Sequence, residues 1–230
     1  MKIPVPDAGS VDAVPGWLDG PAGSAWLLVL APGAGAPADS DLMGGLAAAI
    51  SAAGVRVLRF DFPYQVRARA EGKRKPPDRP GVLTATWRAA IAYAGHRLRP
   101  AHLAVGGKSM GGRYATLVLA DSAGGGEALA RRVEACVLIG YPLHPPGKPD
   151  RERAGHLSAM RVPALFVSGT RDSLAGIEAM RRVVEPLSQA RLHEIGEADH
   201  DFRVPKRSGR TRADVIAEIA AATGDFLGGL

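Results

Sequence analysis

Short apolar runs recur along the chain: AWLLVLA (25–31), GVRVLRFDF (54–62), AHLAVGG (101–107), EACVLIGY (134–141), VPALFVSG (162–169) and ARLHEIG (190–196). Their near-continuous hydrophobicity is that of strands covered on both faces, as in a parallel sheet. Between them, helical spacing predicts helices over 40–53, 82–98, 109–121, 173–187 and 211–227, with Ser40 and Thr211 where N-caps are expected. Strand and helix in alternation predict one doubly wound α/β domain over residues 1–230, and the opening residues are expected to add an antiparallel hairpin at the sheet's edge. Two segments fit neither pattern: PYQVRARAEGKRKPPDRPG (63–81) and PLHPPGKPDRERAGHLS (142–158). Both follow predicted strands, which puts them at the carboxyl edge, where open α/β sheets bind ligands.

Composition narrows the picture only a little. With 46% hydrophobic and 23% charged residues in 230, the chain is ordinary for a globular protein. The formal charge of +6 supports non-specific association and electrostatic steering only. Aromatics make up 5% and do not interleave with the basic residues, which argues against nucleic-acid binding. Residues 21–38 carry no charge, but Gly and Pro interrupt them repeatedly, so no membrane span is expected. The opening MKIPVPDAGSVDAVPGW has no apolar core of the kind a secretory signal needs, and the cytoplasm is the expected location. The single cysteine, Cys136, lies inside an apolar run and reads as a small buried hydrophobe; no metal or cofactor is expected.

The stretch AVGGKSMGGR (104–113) raises the chemical question. Gly107-Lys108-Ser109 could end a phosphate-binding loop, but the glycine such a loop needs six residues before that lysine falls on His102, inside a predicted strand. Read around the serine, Gly107-x-Ser109-x-Gly111 is a nucleophile elbow, a strand-to-helix turn that needs small neighbours. A nucleophile of this kind requires an acid and a histidine, in that order along the chain, each after its own strand. VPALFVSG is followed at once by TRDSLAG, which carries Asp172; ARLHEIG is followed by EADHDF, which carries His200. Ser109, Asp172 and His200 are therefore the candidate triad: hydroxyl, orienting carboxylate and general base. Asp199 and Asp201 flank His200 and are read as turn makers or solvated charges. The candidate oxyanion donors are the N–H groups of Met110, after the nucleophile, and of Ala34, in the loop LAPGAGAPADS. Gly33, Gly35, Lys108, Tyr141 and His144 are the candidate substrate contacts.

Together LAPGAG, GKSMGG, VSGTRD and ADHDF resemble the α/β-hydrolase superfamily. More narrowly, FDFPY with its basic Pro-rich continuation, GGKSMGGR, GYPLHPPGKP and DHDFRVPK are similar to a family of small α/β-hydrolase-like proteins related to dienelactone hydrolases. That family includes a testis-expressed hydrolase-like protein and a subunit of the nonspecific-lethal chromatin complex. The resemblance implies an α/β-hydrolase fold without a large cap domain and a serine hydrolase acting on an ester or thioester bond, with no defined substrate. It departs from common hydrolases at Pro32, where a histidine that organises the loop is usual. Arg67, Arg69, Lys73, Arg74, Lys75 and Arg79 in one segment, and Arg203, Lys206, Arg207, Arg210 and Arg212 in another, form a basic rim. Read functionally, that rim would attract a small anionic ester. A non-catalytic interaction module that keeps the fold is the alternative, although a scaffold has no physical need for all three triad side chains.

Overall fold

The computed structural model describes residues 1–7, 11–121 and 132–230. Eight strands form one sheet in the order β1-β2-β4-β3-β5-β6-β7-β8. They are β1 (Lys2–Pro4), β2 (Ala13–Asp19), β3 (Trp26–Ala31), β4 (Arg56–Phe60), β5 (His102–Lys108), β6 (Ala135–Ile139), β7 (Ala164–Gly169) and β8 (Ala190–Ile195). β1 pairs antiparallel with β2, and β2 with β4; every later pairing is parallel. The expected hairpin at the edge is therefore present. Every residue of β6 and β7 is buried, the consequence of helices on both faces. Cys136 lies in β6 and is fully buried, and burial pushes its thiol far above the usual range.

The helices are α1 (Asp41–Ala52), α2 (Pro63–Glu71), α3 (Pro80–Tyr93), α4 (Met110–Ala120), α5 (Ile177–Val184) and α6 (Arg212–Gly228). Alternate side chains of each strand point to opposite faces, so β3 splits its run between two cores. Leu28 and Leu30 join Met43, Leu46 and Ile50 of α1 and Ile219 and Phe226 of α6. Leu27 and Val29 join Trp87 and Ile91 of α3, Val118 of α4 and Met180 of α5. β5 runs between β3 and β6. From β3 the chain turns outward to β4, whereas from β5 it proceeds to β6, so the loops after β3 and β5 diverge and open a crevice at the carboxyl edge.

Four local expectations are corrected. Residues 63–81 are not all irregular: Pro63 occupies the first helical position of α2, and Gly72, at φ 64°, ends it in the left-handed conformation. α3 stops at Tyr93 and is followed by a wider π-type turn, Ala94–Leu98, ended by Arg99 at φ 47°. The predicted helix 173–187 begins only at Ile177, because the carboxylate of Asp172 takes the Leu174 N–H at 2.8 Å and commits the intervening residues to a turn. At α6 the Thr211 and Asp214 side chains form the capping box expected of an N-cap, whereas the Ser40 hydroxyl caps nothing at α1.

Candidate active site

β5 ends in two buried glycines, a lysine and then Ser109, which turns the chain into α4 at φ 51° and ψ −116°. That backbone conformation is costly for a residue with a Cβ, and the surroundings over-determine it. The Ser109 N–H donates to Ile139 O at 2.9 Å, its carbonyl accepts from the Arg113 N–H at 3.0 Å, and Trp87 Nε1 donates to Gly111 O at 3.1 Å. A Cβ on Gly111 would stand 2.5 Å from Ala31 O, so only glycine lets the start of α4 seat against β3. The elbow is thus set by strand–helix contact at backbone range.

His200, from the loop after β8, brings Nε2 to 2.9 Å from Ser109 Oγ. Its Nδ1 lies 2.7 Å from Asp172 Oδ2, at the end of β7. Asp172 is fully buried and its other oxygen accepts the Leu174 N–H, so the carboxylate is fixed at both oxygens; the imidazole is 20% exposed. With a carboxylate at Nδ1, that nitrogen carries the proton and Nε2 is left to accept from the serine. Asp199 is engaged elsewhere, its Oδ1 accepting the N–H groups of Asp201 and Arg203, and Asp201 lies beside Arg203 at 3.7 Å. Neither is hydrogen-bonded to the imidazole among the described residues.

The loop after β3 is held from α2 and β4. Tyr64 Oη donates to Ala34 O at 3.1 Å and to Gly33 O at 3.4 Å, and Gln65 Nε2 donates to Ala36 O at 2.9 Å and to Gly33 O at 3.4 Å. Arg59 donates to Ala38 O at 2.5 Å, and the Ala38 N–H donates to buried Asp61 at 2.7 Å. Burial raises the Asp61 carboxyl against the pull of that N–H and of Arg69. It also pushes the Tyr64 hydroxyl far up, so Tyr64 remains a donor.

A cavity of about 300 Å³ lies over Ser109, bordered by Ala34, Met110, Arg113, His144 and Arg153. A second, of about 420 Å³, adjoins it at Ala34 and is lined by Gly35, Tyr64, Gln65 and Arg74. A Cβ on Gly33 would lie 3.6 Å from Ser109 Cβ, which places that backbone against Ser109. Of the expected substrate contacts, His144 borders the cavity with Ser109. Tyr141 and Lys108 do not. Tyr141 is 1% exposed, and its hydroxyl donates to Arg153 O at 2.9 Å. Lys108 is 5% exposed, with its ammonium 5.8 Å from the centre of the Phe202 ring. The basic rim is largely paired: Arg67 with Asp78, Arg69 with Asp39 and Asp61, Lys73 and Lys75 with Glu71, Arg207 with Glu197, and Arg210 with Glu218. The sequence reading had missed Tyr64, Gln65, Arg113 and Arg153, of which only FDFPYQ and the position four residues after Ser109 gave any signal.

A sheet of this order, with a strained serine on the strand-to-helix turn at its centre, defines the α/β hydrolase fold. The chain belongs to the α/β hydrolase family: the model of an alpha/beta hydrolase domain matches residues 24–228. It is similar to a dienelactone hydrolase from Anabaena variabilis, at 20% identity and a TM-score of 0.74, over 100% of this chain and 95% of that one. It is also similar to an α/β serine hydrolase homologue from Coxiella burnetii, at 17% identity and a TM-score of 0.71, over 97% of this chain and 95% of that one. A serine hydrolase without a lid from Xanthomonas campestris shares 18% identity at a TM-score of 0.66, over 97% of this chain and 91% of that one. At these identities the likeness is one of fold, and family membership supports a hydrolase. Among the described residues, no helix is long and apolar enough to cross a membrane.

Proposed function

We propose that the protein is a serine hydrolase that cleaves an ester or thioester bond of a small molecule through an acyl-enzyme, with Ser109, His200 and Asp172 as its triad. The reading rests on one observation: Ser109 Oγ, at a strained turn, lies within hydrogen-bond reach of an imidazole whose far nitrogen faces a buried carboxylate. In the first half-reaction, Oγ bonds to the substrate carbonyl carbon as its proton passes to His200 Nε2. The carbonyl π pair moves onto oxygen, and the N–H groups of Met110 and Ala34 receive the oxyanion. Neither of these N–H groups donates a hydrogen bond among the described residues. When the pair returns, the bond to the leaving group breaks, and His200 hands the proton to the departing oxygen or sulfur. Water then repeats the sequence on the acyl-enzyme, restoring Ser109 and releasing the acid. Asp172 holds the imidazole in the tautomer that can accept from Ser109 and stabilises the imidazolium while it lasts.

Labelling by a fluorophosphonate, compared between the native protein and Ser109→Ala, tests the reading. Labelling that requires Ser109, together with turnover of p-nitrophenyl esters, is the expected result. Well-folded protein that takes no label at Ser109 would leave the non-catalytic module as the better account.

A further inference from the structure

We infer that the cavity over Ser109 is built to receive a small anionic group carried by the substrate, a carboxylate or a phosphate, held between the guanidinium groups of Arg113 and Arg153. The inference deepens the serine-hydrolase reading and rests on it for the position of the scissile bond.

Both arginines border the same cavity as Ser109. Arg113 sits on α4 four residues after the serine, one helical turn on, with its guanidinium carbon 5.5 Å from the centre of the Tyr114 ring. Its Nε is buried and has no hydrogen-bond partner. Arg153 comes from the long segment after β6, and its backbone is pinned: its N–H donates to Leu143 O at 2.7 Å, and its carbonyl accepts from buried Tyr141 at 2.9 Å. Among the described residues, neither guanidinium forms an ion pair, although arginines elsewhere on the surface do. Asp78, the carboxylate on the cavity wall, is committed to Arg67 and to the Tyr64 N–H. Asp150 and Glu152 share an outer recess with the two arginines but pair with neither.

Two like charges in partial burial, without a counterion, repel and are poorly solvated. Arg153 feels both effects, its affinity for its proton lowered first by burial and then by the Arg113 charge. An anion in the cavity reverses both penalties, and a planar guanidinium matches a carboxylate or phosphate with paired hydrogen bonds. The site thus favours acyl or leaving groups that bear a negative charge a short distance from the scissile carbonyl. Charge recognition therefore moves from the basic rim, whose cations are mostly neutralised, to two arginines inside the crevice.

The test compares the p-nitrophenyl ester of hydrogen glutarate with the same ester whose free carboxylate is capped as a methyl ester. A p-nitrophenyl ester bearing a terminal phosphate supplies the second source of charge, and glutarate and inorganic phosphate serve as non-reacting probes in a thermal-shift titration. The native protein should favour an anionic ester over the capped one in kcat/KM by at least about tenfold, the worth of one charged hydrogen bond. Arg113→Gln and Arg153→Gln should each collapse that ratio and weaken the thermal shift; Arg153→Gln serves if Arg113→Gln does not fold. Equal kcat/KM for charged and capped esters, or variants that lower all of them alike, would overturn the inference. Fluorophosphonate labelling keeps the two readings apart. Labelled Ser109 without charge preference sinks the anion site alone, whereas an arginine-dependent shift with glutarate or phosphate in a protein that takes no label sinks the serine reading alone.

Discussion

Replacing Lys108 with methionine should stabilise this protein, and by an amount that depends on pH. Lys108 directly precedes the elbow serine, yet its side chain is 5% exposed, with Phe202 near its ammonium and Gly140 packed alongside. Burial is the largest influence on it, only partly offset by the charges of Asp172, Asp201 and Asp199, and it brings the ammonium from 10.5 down to about 8. Between those two values the unfolded chain holds a proton that the folded protein has released, so stability rises with pH across that window. Below about 8 both states are protonated, and the folded state carries the full penalty, on the order of 3 kcal/mol. Methionine keeps the length of the side chain and removes the charge. Lys108→Met should therefore be the more stable protein at neutral pH by up to about 3 kcal/mol. Its advantage should shrink from about pH 8 upward and vanish above about 10.5, where the lysine is neutral in both states. Urea unfolding of both proteins by linear extrapolation, at several pH values across this range, measures the difference directly. A difference that stays constant with pH, or a methionine variant less stable than the native protein at neutral pH, would refute the placement of this ammonium as a desolvated cation.

Ser109→Gly should abolish fluorophosphonate labelling and, by releasing a backbone held at φ 51°, raise stability in thermal unfolding by a net of about 1 kcal/mol. Asp172→Asn should lower kcat/KM roughly ten-thousandfold with the fold intact. The amide oxygen must stay on the Leu174 N–H, so the amide NH2 faces His200 Nδ1 and selects the tautomer that cannot accept from Ser109. Gly106→Ala places a Cβ 2.0 Å from Val137 O and should cost about 3 kcal/mol of unfolding free energy. Gly35→Ala, with nothing within 4 Å of its new Cβ, should leave chemical denaturation within about 0.5 kcal/mol of native. Tyr64→Phe should lower kcat more than it raises KM in steady-state ester hydrolysis, because it releases the loop that carries Ala34.

The parts of the fold that follow from burial were legible in the sequence. β3, β5, β6 and β7 are covered on both faces, and each shows as an unbroken apolar run whose limits the structure moves by only a few residues. The convergence of Ser109, Asp172 and His200 was legible because each stands just after a predicted strand, where chain order and strand ends are enough to bring them together. Asp172 also explains a misplaced boundary: it organises the turn after β7 and delays α5 to Ile177. Side-chain direction at the elbow was not legible. Lys108 and Tyr141 lie beside the site in sequence, but the turns at Ser109 and Gly140 send both side chains into buried surroundings. Pairing was not legible either. A tally of arginines cannot distinguish Arg69, which pairs with Asp39 and Asp61, from Arg113, which forms no ion pair among the described residues.

α2 shows why one element that holds the loop after β3 left so weak a trace. Its residues PYQVRARAE carry no apolar stripe, and the side chains it buries, Pro63, Tyr64 and Gln65, all belong to its first turn. It is anchored by that turn, against the loop after β3, so helical periodicity had nothing to report; Pro63 at the start and Gly72 at the end were the readable marks. The anchoring bears on the chemistry through the planarity of one peptide. Tyr64 and Gln65 both draw on the carbonyl of Gly33, and in a trans peptide the N–H of the next residue, Ala34, points the opposite way. An added Cβ on Gly33 would meet Ser109 Cβ at 3.6 Å, so this stretch of backbone lies against Ser109. A hydroxyl and an amide on α2 thus aim the proposed oxyanion donor by gripping the carbonyl behind it. That grip also holds the loop after β3 in place next to Pro32.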